Sequence, residues 1–421
     1  MKVTLVGIGT DGRNTLTAEA AAAIGEASLL IGAARMLQPF DTTGKRVVSC
    51  YDSRKIADLL YEAASQEMPP EMAAVLFSGD TSFFSGAGTL LRLLREDEAA
   101  GRDAPDLTVT VLPGISSLCA MCAKTGISYE EMKIVSLHGR QESIAVHVRT
   151  HAKTFFVLGG AADAAAVCRI LREYGLSDVT VYVGENLGSE GERITHGAAS
   201  ELCELKTDDL SVAIAVNPAP LEYLPCGIAD DAFERVLQTE GSTHRTIPMT
   251  KANVRSAAVA ALKIRRRDTC WDVGCGTGSV SVEMAFRCPD GRVYGFDREE
   301  EAAALTMRNA RRFSCDNITA QVMAFPPEDP VRGELQVPDR VFIGGAGGRI
   351  REIVCLAKDL NPACRIVITA VSLETLEEGR AALDAACGGC EVVQLGVTCA
   401  QKTGRVTMMK AFNPVFILTG E

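Results

Sequence analysis

Residues 271–285, WDVGCGTGSVSVEMA, decide the fold of the second half of this 421-residue chain. The apolar residues before the first glycine predict a buried strand, and the residues after the third predict a helix. Gly274, Gly276 and Gly278 allow the backbone to turn tightly beside a ligand, which would face the first amides of the helix. This order of strand, glycine-rich turn and helix is typical of a nucleotide-binding α/β domain.

Asp297 ends the next predicted strand, nineteen residues after Gly278. A carboxylate at this position can accept hydrogen bonds from both hydroxyls of a ribose, so the two features together predict an adenosine site. The G-x-G-x-G spacing is typical of S-adenosylmethionine methyltransferases, whereas dinucleotide enzymes favour G-x-G-x-x-G. A tight turn without a ligand is the structural alternative.

Four predicted strand ends in the first half also carry glycine. They are LVGIG (5–9), LFSGD (76–80), VLPGISS (111–117) and SLHGR (136–140). In an open parallel sheet, ligands bind at the carboxyl ends of the strands. We therefore expect these loops to converge on one cleft, separate from the site in the second half.

Strand-like runs alternate with Ala- and Leu-rich helical segments along the chain, which predicts an α/β fold with largely parallel sheets. The final strands are predicted as a pair near 405–410 and 414–418. A stretch rich in Pro, Gly and acidic residues follows residue 216 and reads as a connection. The sequence thus predicts two domains, 1–220 and 221–421.

Composition limits the partners and the compartment. The net charge of −11 disfavours nucleic acid and anionic membranes as partners. Without a signal peptide or an apolar stretch long enough to span a bilayer, we expect a cytoplasmic protein. Fifteen cysteines, an odd number, suit a reducing compartment. The close pairs, Cys119 with Cys122 and Cys387 with Cys390, are interpreted as structural thiols, and no metal site is predicted.

The glycine-containing segments of the first half resemble the tetrapyrrole (corrin/porphyrin) methylase family, in particular its cobalamin-pathway members that methylate carbon 5. These segments are Gly7-Ile8-Gly9, Ser78-Gly79-Asp80, Pro113-Gly114-Ile115-Ser116-Ser117 and His138-Gly139-Arg140. Thr10 and Thr81 stand where that family usually has proline. These departures affect single contacts rather than the resemblance as a whole.

The second half resembles the methyltransferases of the same pathway that methylate carbon 15 and remove a carboxyl group. The resemblance rests on MTKANVRS, DVGCGTG, FDR, GGAGGRI and NPVFI. The order of the halves matches that of fused enzymes in this family. The resemblance implies a Rossmann-like second domain, one S-adenosylmethionine per domain, a precorrin or cobalt-precorrin substrate, decarboxylation of an acetate side chain, and a homo-oligomer.

The motifs and the resemblance together give candidate residues for binding the methyl donor. In the first half they are Gly7, Gly9, Gly79, Asp80, Ser116 and Ser117. In the second half they are Thr250, Gly274, Cys275, Gly276, Thr277, Gly278 and Asp297. Ala324 and Phe325 stand where the family lines the adenine, in a segment that departs from the family pattern.

Methyl transfer to a ring carbon needs alignment and exclusion of water more than a nucleophilic side chain. His138 is the candidate base for removing a ring proton, with a structural role as the alternative. Asp80 is a second catalytic candidate, and capping of the following helix is its alternative. For the decarboxylation, the conjugated macrocycle itself can accept the electrons.

The many carboxylates of a tetrapyrrole call for cations in the acceptor sites. The candidates for substrate binding are Arg140, His244, Arg245, Lys251 and Arg255. Surface solvation is the alternative for each, and it is the interpretation given to the arginines at 265–267.

Two alternative functions remain open from the residues alone. The second half could methylate nucleic acid, with the first half as a binding module, although the acidic balance and the 5% aromatic content oppose this. A dinucleotide oxidoreductase is opposed by the glycine spacing.

Overall fold

The computed structural model describes residues 1–100, 106–139, 142–237, 245–327, 335–345 and 347–421. Helices and strands alternate through most of this range, which confirms the predicted α/β class. Two five-stranded sheets lie in the first half of the chain, and a seven-stranded sheet lies in the second half. Among the described helices, none combines the length and the apolar character needed to cross a bilayer.

The first sheet is parallel throughout. Its strands are β1 (Lys2–Gly7), β2 (Leu29–Gly32), β3 (Arg46–Ser49), β4 (Met72–Phe77) and β5 (Thr108–Leu112). The helices around it are α1 (Ala18–Glu26), α2 (Ala34–Leu37), α3 (Ser53–Ala64) and α4 (Gly86–Ala99). The strand order is β3-β2-β4-β1-β5, so three of the predicted glycine-containing loops follow neighbouring strands. β1 and β4 are almost wholly buried, which explains their continuous apolar runs.

The second sheet is mixed rather than parallel. Its strands are β6 (Lys133–Ser136), β7 (Lys153–Val157), β8 (Thr180–Glu185), β9 (Arg193–Ala198) and β10 (Ser211–Val216). The accompanying helices are α5 (Ser117–Thr125), α6 (Ala145–Thr150) and α7 (Ala164–Glu173). Only β6 and β7 pair in parallel; β10 lies antiparallel between β7 and β8, and β9 is antiparallel to β8. The expectation of largely parallel sheets is wrong here, because β8, β9 and β10 follow one another without a crossover helix.

This second sheet also changes the expected convergence of four loops. The SLHGR segment follows β6, so it belongs to a different sheet from the other three glycine-containing loops. The two sheets nevertheless meet near β1. A Cβ atom on Gly188, in the loop after β8, would lie 2.9 Å from Asp11 Cβ and from Thr10 Oγ1.

The second half begins with a short 3₁₀ turn, Asp230–Ala232, followed by two short paired strands, β11 (Val236–Leu237) and β12 (Arg245–Thr246). Its larger strands are β13 (Thr269–Val273), β14 (Arg292–Asp297), β15 (Ile318–Val322), β16 (Arg340–Ile343), β17 (Arg365–Ala370), β18 (Glu391–Leu395), β19 (Thr398–Thr403), β20 (Val406–Ala411) and β21 (Val415–Gly420). Its helices are α8 (Ala252–Ala261), α9 (Ser279–Arg287), α10 (Glu300–Arg312), α11 (Ile350–Leu360) and α12 (Leu373–Cys387).

The large sheet has the order β15-β14-β13-β16-β17-β21-β18, and its strand order reverses between β13 and β16. The strands from β13 to β17 are parallel, and β21 is antiparallel to β17 and β18. The two final strands are present as predicted; β20 pairs with β19, and β21 inserts into the large sheet. Every residue of the β19–β20 hairpin is exposed.

The two halves contact each other at the start of α6. The Asp316 carboxylate, in the second half, accepts hydrogen bonds from the backbone N–H groups of Ile144 at 2.5 Å and Val146 at 3.1 Å. Val146 also packs into the hydrophobic core of the second half. A carboxylate at a helix start pairs amides that lack partners within the helix, so this contact stabilises α6 and joins the halves.

A second contact between the halves is an ionic cluster around Asp290. Its carboxylate lies 3.0 Å from Lys133 Nζ, 2.9 Å from Arg266 Nε and 3.3 Å from His147 Nε2. Burial and the Lys133 charge lower the pKa of His147 to about 3, so its ring is neutral. Glu142 lies nearby, but the two cations on Asp290 oppose binding of a metal ion. Lys133 and His147 of the first half thus meet Asp290 of the second, and Arg266, expected to be only solvated, pairs with the same carboxylate.

Candidate active site

The glycine loop, residues 274–278, has the backbone conformation that its sequence predicts. Gly274, Gly276 and Gly278 have φ values of 75°, 56° and 72°, in the left-handed region that favours glycine. A Cβ atom on Gly274 would also lie 2.6 Å from the carbonyl oxygen of Gly345, in the loop after β16. Any larger residue at position 274 would push these two loops apart.

The glycine loop borders a cavity of about 750 Å³ at the carboxyl ends of β13, β14, β16 and β17. Its place beside the reversal of strand order is the usual ligand site of an open α/β sheet, and its size suits a small molecule. Six of the seven donor-binding candidates of the second half line it: Thr250, Gly274, Cys275, Gly276, Thr277 and Asp297. Gly278 lies just behind them, at the start of α9.

Asp297 lies at the end of β14, on the edge of the cavity. Its Oδ2 accepts a hydrogen bond from Gly276 N at 3.0 Å, and its Oδ1 accepts one from Glu299 N at 3.1 Å. Each carboxylate oxygen has lone pairs left for a ribose hydroxyl. Asp297 therefore fixes the glycine loop as well as offering acceptors to a ligand.

Asp272 is a cavity residue that the sequence analysis missed. It is 1% exposed, its Oδ2 accepts a hydrogen bond from Ser281 Oγ, and its Oδ1 has no hydrogen-bond partner among the described residues. Burial raises the pKa of this carboxyl to about 7. A carboxylate oxygen without a hydrogen-bond partner in the cavity wall suits a methyl donor that carries cationic groups. The only sequence signal was an acidic residue inside an otherwise apolar strand.

Two more polar groups of the glycine loop line the cavity. Thr277 Oγ1 is buried without a hydrogen-bond partner among the described residues, so it too is available to a ligand. The Cys275 thiol accepts a hydrogen bond from Thr306 Oγ1 at 3.4 Å, and burial raises its pKa well above the usual range. Cys275 is thus a neutral thiol rather than a nucleophilic thiolate.

Ala324 and Phe325 line the cavity, and their contact with an adenine stays a prediction. Phe325 stacks on Phe296 with 4.4 Å between ring centroids, and Trp271 packs edge-on against both rings. This apolar wall suits the flat face of a base.

The cations predicted to bind substrate have different positions. Lys251 lines the cavity, is half exposed, and lies 3.2 Å from Asp230. Arg255 is fully buried and paired with Glu283 at 2.6 Å, a placement that does not support contact with substrate. Arg245 begins β12, and His244 lies outside the described residues.

Two arginines that the sequence analysis did not single out also line the cavity. Arg298 is exposed and directly follows Asp297. Arg349 donates to the Pro326 carbonyl oxygen at 2.9 Å and pairs with Glu352. The FDR motif contains Arg298, and GGAGGRI contains Arg349, so both lay within stretches already quoted for the resemblance.

In the first half, the strand ends of β1, β4 and β5 pack closely through Gly7, Gly79 and Gly114. A Cβ atom on Gly7 would lie 2.7 Å from Gly114 N, and one on Gly114 would lie 2.3 Å from Gly79 O. Gly9 and Gly79 exchange backbone hydrogen bonds at 3.1 and 2.9 Å. Backbone packing alone therefore requires these glycines, and their contacts with a donor stay predictions.

Replacing Gly114 by alanine is expected to destabilise the first half by about 1–3 kcal/mol, because the added methyl group overpacks three backbones. Calorimetric unfolding measures this loss. Gly88→Ala is the control: Gly88 is on the exposed face of α4, with no atom within 4 Å of its Cβ position. That change should be neutral or stabilise by up to about 1 kcal/mol. Equal losses in the two variants would contradict the packing argument.

Asp80 has a structural role in the described contacts. Its Oδ2 accepts from Gly114 N at 3.0 Å, and its Oδ1 accepts from Ser82 N at 2.8 Å and from the Ser82 hydroxyl. Burial acts to raise its pKa, but these hydrogen bonds outweigh burial and hold the pKa below the usual value. Such an ionised, fully engaged carboxylate is poorly suited to proton transfer. It ties two strand-end loops together instead of capping a helix.

The remaining candidates of the first half lie near these loops. Ser116 is buried and caps α5 by accepting from Cys119 N at 3.1 Å, and Ser117 begins that helix. His138 is exposed, with its ring against Gly159, where a Cβ atom would lie 2.2 Å from His138 Nδ1. Arg140 lies outside the described residues.

Comparison with known proteins bears on both halves. Residues 244–420 match the precorrin methyltransferase domain, and residues 2–203 match the tetrapyrrole (corrin/porphyrin) methylases. A protein of Pyrobaculum calidifontis named "probable cobalt-precorrin-6B C(15)-methyltransferase (decarboxylating)" is 43% identical over 198 residues, which cover 47% of this chain and 96% of that protein. The chain belongs to the precorrin methyltransferase family.

A relative with both halves is a precorrin-6Y C(5,15)-methyltransferase [decarboxylating] from Sinorhizobium sp., 27% identical over 98% of this chain and 94% of its own length. Among solved structures, a precorrin-6Y C5,15-methyltransferase from Geobacter metallireducens is 30% identical, with a TM-score of 0.40, over 48% of this chain and 99% of that chain. The predicted resemblance to fused precorrin methyltransferases is confirmed. This member of the family is thus a methyltransferase, and neither alternative function finds support among these relatives.

Proposed function

We propose that this precorrin methyltransferase uses S-adenosylmethionine to methylate a precorrin or cobalt-precorrin at carbons 5 and 15, and removes a carboxyl group from an acetate side chain, in cobalamin biosynthesis. The observation that carries this proposal is the match of each half to a different methylase family, in the order of a fused relative. We assign carbon 5 to residues 1–220 and carbon 15 with decarboxylation to residues 221–421.

The residues that line the cavity suggest how the second half would bind the methyl donor. When bound, S-adenosylmethionine supplies an electrophilic methyl group on a sulfonium centre. Asp297 would accept the ribose hydroxyls, the amides at the start of α9 would face polar groups, and ionised Asp272 would favour a cationic group of the donor. The stacked wall formed by Phe296 and Phe325 excludes water from one side.

The protein's contribution to methyl transfer is alignment in a dry cavity, because the substrate carbon is itself the nucleophile. Neutral Cys275 is consistent with this, since no covalent step on the protein is required. For decarboxylation, the conjugated macrocycle takes up the electron pair released with carbon dioxide, and a proton from water then completes the methyl group, so the residues need only hold the acetate arm.

The substrate carboxylates need cations at the cavity rim. Lys251 and Arg298 are placed to provide them, because both line the cavity and both are exposed in part. We propose that they bind acetate or propionate arms, and that Arg245 and Arg140 stay candidates for the same task. A pair of cations at the cavity would orient the ring as well as attract it.

For the first half we propose a second donor site at the ends of β1, β4 and β5, with Gly7, Gly9, Gly79, Ser116 and Ser117 around it. His138, on the loop after β6, is the candidate base for the ring proton lost on methylation. Its exposed imidazole beside Gly159 leaves it open to a substrate approaching the cleft.

Counting donor sites tests the proposal. Titration of the intact chain with S-adenosylmethionine is expected to give two molecules bound per chain, and incubation with a precorrin substrate should add two methyl groups and lose one carbon dioxide. Calorimetry and mass spectrometry of the product measure these numbers. One donor per chain would contradict the two-site assignment, and no donor would contradict the proposed function itself.

We also propose that the chain forms a homo-oligomer in the cytoplasm. The β19–β20 hairpin exposes Val406, Met408 and Met409 on strands that have no other partner strand among the described residues, which favours packing against another subunit. All fifteen cysteines are free thiols, as suits a reducing compartment.

A further inference from the structure

Arg255 lies at the centre of a buried polar network in the second half. Its side chain and that of Glu283 are both 0% exposed, and Arg255 Nε donates to Glu283 Oε1 at 2.6 Å. Glu283 is on α9, the helix that begins at the glycine loop. Taking such a pair out of water costs free energy that hydrogen bonds must offset, so its other contacts are informative.

The remaining donors of Arg255 reach two separate loops. Nη1 donates to the carbonyl oxygen of Thr250 at 2.6 Å, and Nη2 donates to that of Ile228. Glu283 Oε1 in turn accepts from Ile228 N at 3.0 Å, and the Phe233 ring lies 4.9 Å from Arg255 Cζ. One guanidinium thus joins α9, the connection between the halves and the loop that contains Thr250.

That loop forms the lip of the cavity. We define the lip as residues 249–251, all of which line the cavity. The lip has no regular secondary structure, so its position depends on contacts with its surroundings. Asp230 holds its far end, because Oδ1 accepts from Ala252 N at 3.0 Å and Oδ2 lies 3.2 Å from Lys251 Nζ.

We propose that Arg255 and Glu283 are positioning residues that hold the lip against the glycine loop, so that the donor cavity is formed before the donor binds. This inference rests on the proposed function, because it takes the cavity to be the donor site. Arg255 acts through the Thr250 carbonyl and does not contact the donor or the substrate. A preformed cavity avoids the entropy cost of ordering the lip during binding.

Arg255→Lys separates charge from geometry. Lysine keeps the positive charge beside Glu283, but its single nitrogen cannot reach the three partners that Nε, Nη1 and Nη2 of arginine contact separately. We expect the dissociation constant for S-adenosylmethionine at the second site to rise about tenfold, as from the loss of one hydrogen bond of a charged group. The KM for the donor in carbon 15 methylation should rise with it, while kcat changes less. Carbon 5 methylation on the same chain should not change.

Binding at the second site can be followed separately through Trp271, the only tryptophan in the chain. Trp271 packs against Phe296 and Phe325, which line the cavity, so its fluorescence reports on that site. The same signal gives the unfolding midpoint of the second half, because Trp271 is fully buried in its sheet.

A second variant distinguishes positioning from stability. In Arg255→Met with Glu283→Met, both buried charges are removed, and such apolar replacements often keep or raise stability. We expect this double variant to stay folded, because no charge is left buried without a partner, and still to bind the donor about tenfold more weakly. If the pair served stability alone, a stably folded double variant would bind the donor like the wild type.

Arg340→Lys is the matched control. Arg340 is also buried and pairs with Asp268 at 3.1 Å, but it starts β16, at the opposite end of the sheet from the cavity. Its replacement should leave donor affinity unchanged. Wild-type affinity in both Arg255 variants would overturn the positioning role while leaving the proposed function intact. Failure of the wild-type protein to bind the donor at the second site would overturn both.

Discussion

Asp297→Ala is expected to weaken donor binding in the second half by about one to two powers of ten. The carboxylate's interaction with the ribose hydroxyls is worth about 1.5–3 kcal/mol in total, which corresponds to this loss. Asp297 Oδ2 also accepts a hydrogen bond from Gly276 N and so helps to fix the glycine loop. Methylation at carbon 15 and decarboxylation should fall together. Methylation at carbon 5 should persist on a substrate that is already decarboxylated, because the first half has its own strand-end loops.

The control for this change is Asp339→Ala. Asp339 also accepts a backbone hydrogen bond, from Thr269 N at 2.8 Å, but at the amino end of β13, away from the cavity. It should cost stability without changing donor affinity. Trp271 fluorescence and mass spectrometry of the two products measure both variants. An Asp297→Ala protein that stays folded but loses both methylations equally would mean that the two sites are coupled or that the halves are assigned to the wrong carbons.

Asp272→Asn is expected to stabilise the empty protein and to weaken donor binding, both at pH 8. The folded pKa of Asp272 is about 7, above the reference value of 3.8, so the folded state holds its proton more tightly than the unfolded state. The free energy of unfolding is therefore highest at low pH. It falls as the pH rises from about 4 to about 7, by at most about 4 kcal/mol. Asparagine removes that loss because it has no charge to bury.

Donor binding should respond in the opposite direction. An ionised Asp272 attracts a cationic group of the donor, so affinity in the wild type should rise with pH up to about pH 7, and Asp272→Asn should lower it about tenfold or more at pH 8. S-adenosylhomocysteine lacks the sulfonium charge, so a smaller effect on its binding would place Asp272 near the sulfur.

Unfolding by denaturant at pH 5 and pH 8, followed through Trp271 fluorescence, measures the predicted change in the free energy of unfolding. The gain from asparagine should be largest at pH 8 and clearly smaller at pH 5, where the folded wild type keeps its proton and only part of the loss has occurred. A variant with wild-type donor affinity, or with the same change in stability at both pH values, would contradict the assignment of Asp272.

The fold of the second half was largely predictable, because its signals are local. A buried strand, three glycines with positive φ, a helix and Asp297 all lie within about thirty residues and met in the structure as expected. The mixed second sheet was not predictable in the same way. β8, β9 and β10 have ordinary strand patterns, and nothing within each strand states which neighbour it will pair with or in which direction.

The charged residues also divide into those whose position the sequence predicted and those whose position depends on tertiary contacts. Arg255 and Lys251 have the same local signal, a cation ahead of the glycine loop, yet only Lys251 lines the cavity. Arg255 is buried because Glu283, 28 residues further along the chain, meets it in the packed domain. Asp272 became a candidate only when its unpaired Oδ1 was found in the cavity wall.

The sequence by itself determined the α/β class, the glycine loop with its acidic partner, and the membership of a methyltransferase family. The class and the glycine loop follow from hydrophobic periodicity and from the need for glycine at left-handed or crowded positions, and the family follows from the resemblance of its motifs. All of these are properties of short segments. Only the tertiary structure decided which charged side chains face the cavity, which are buried in pairs, and that Asp316 joins the halves. Pairing of polar groups depends on distant segments that meet after folding, and no short segment contains that information.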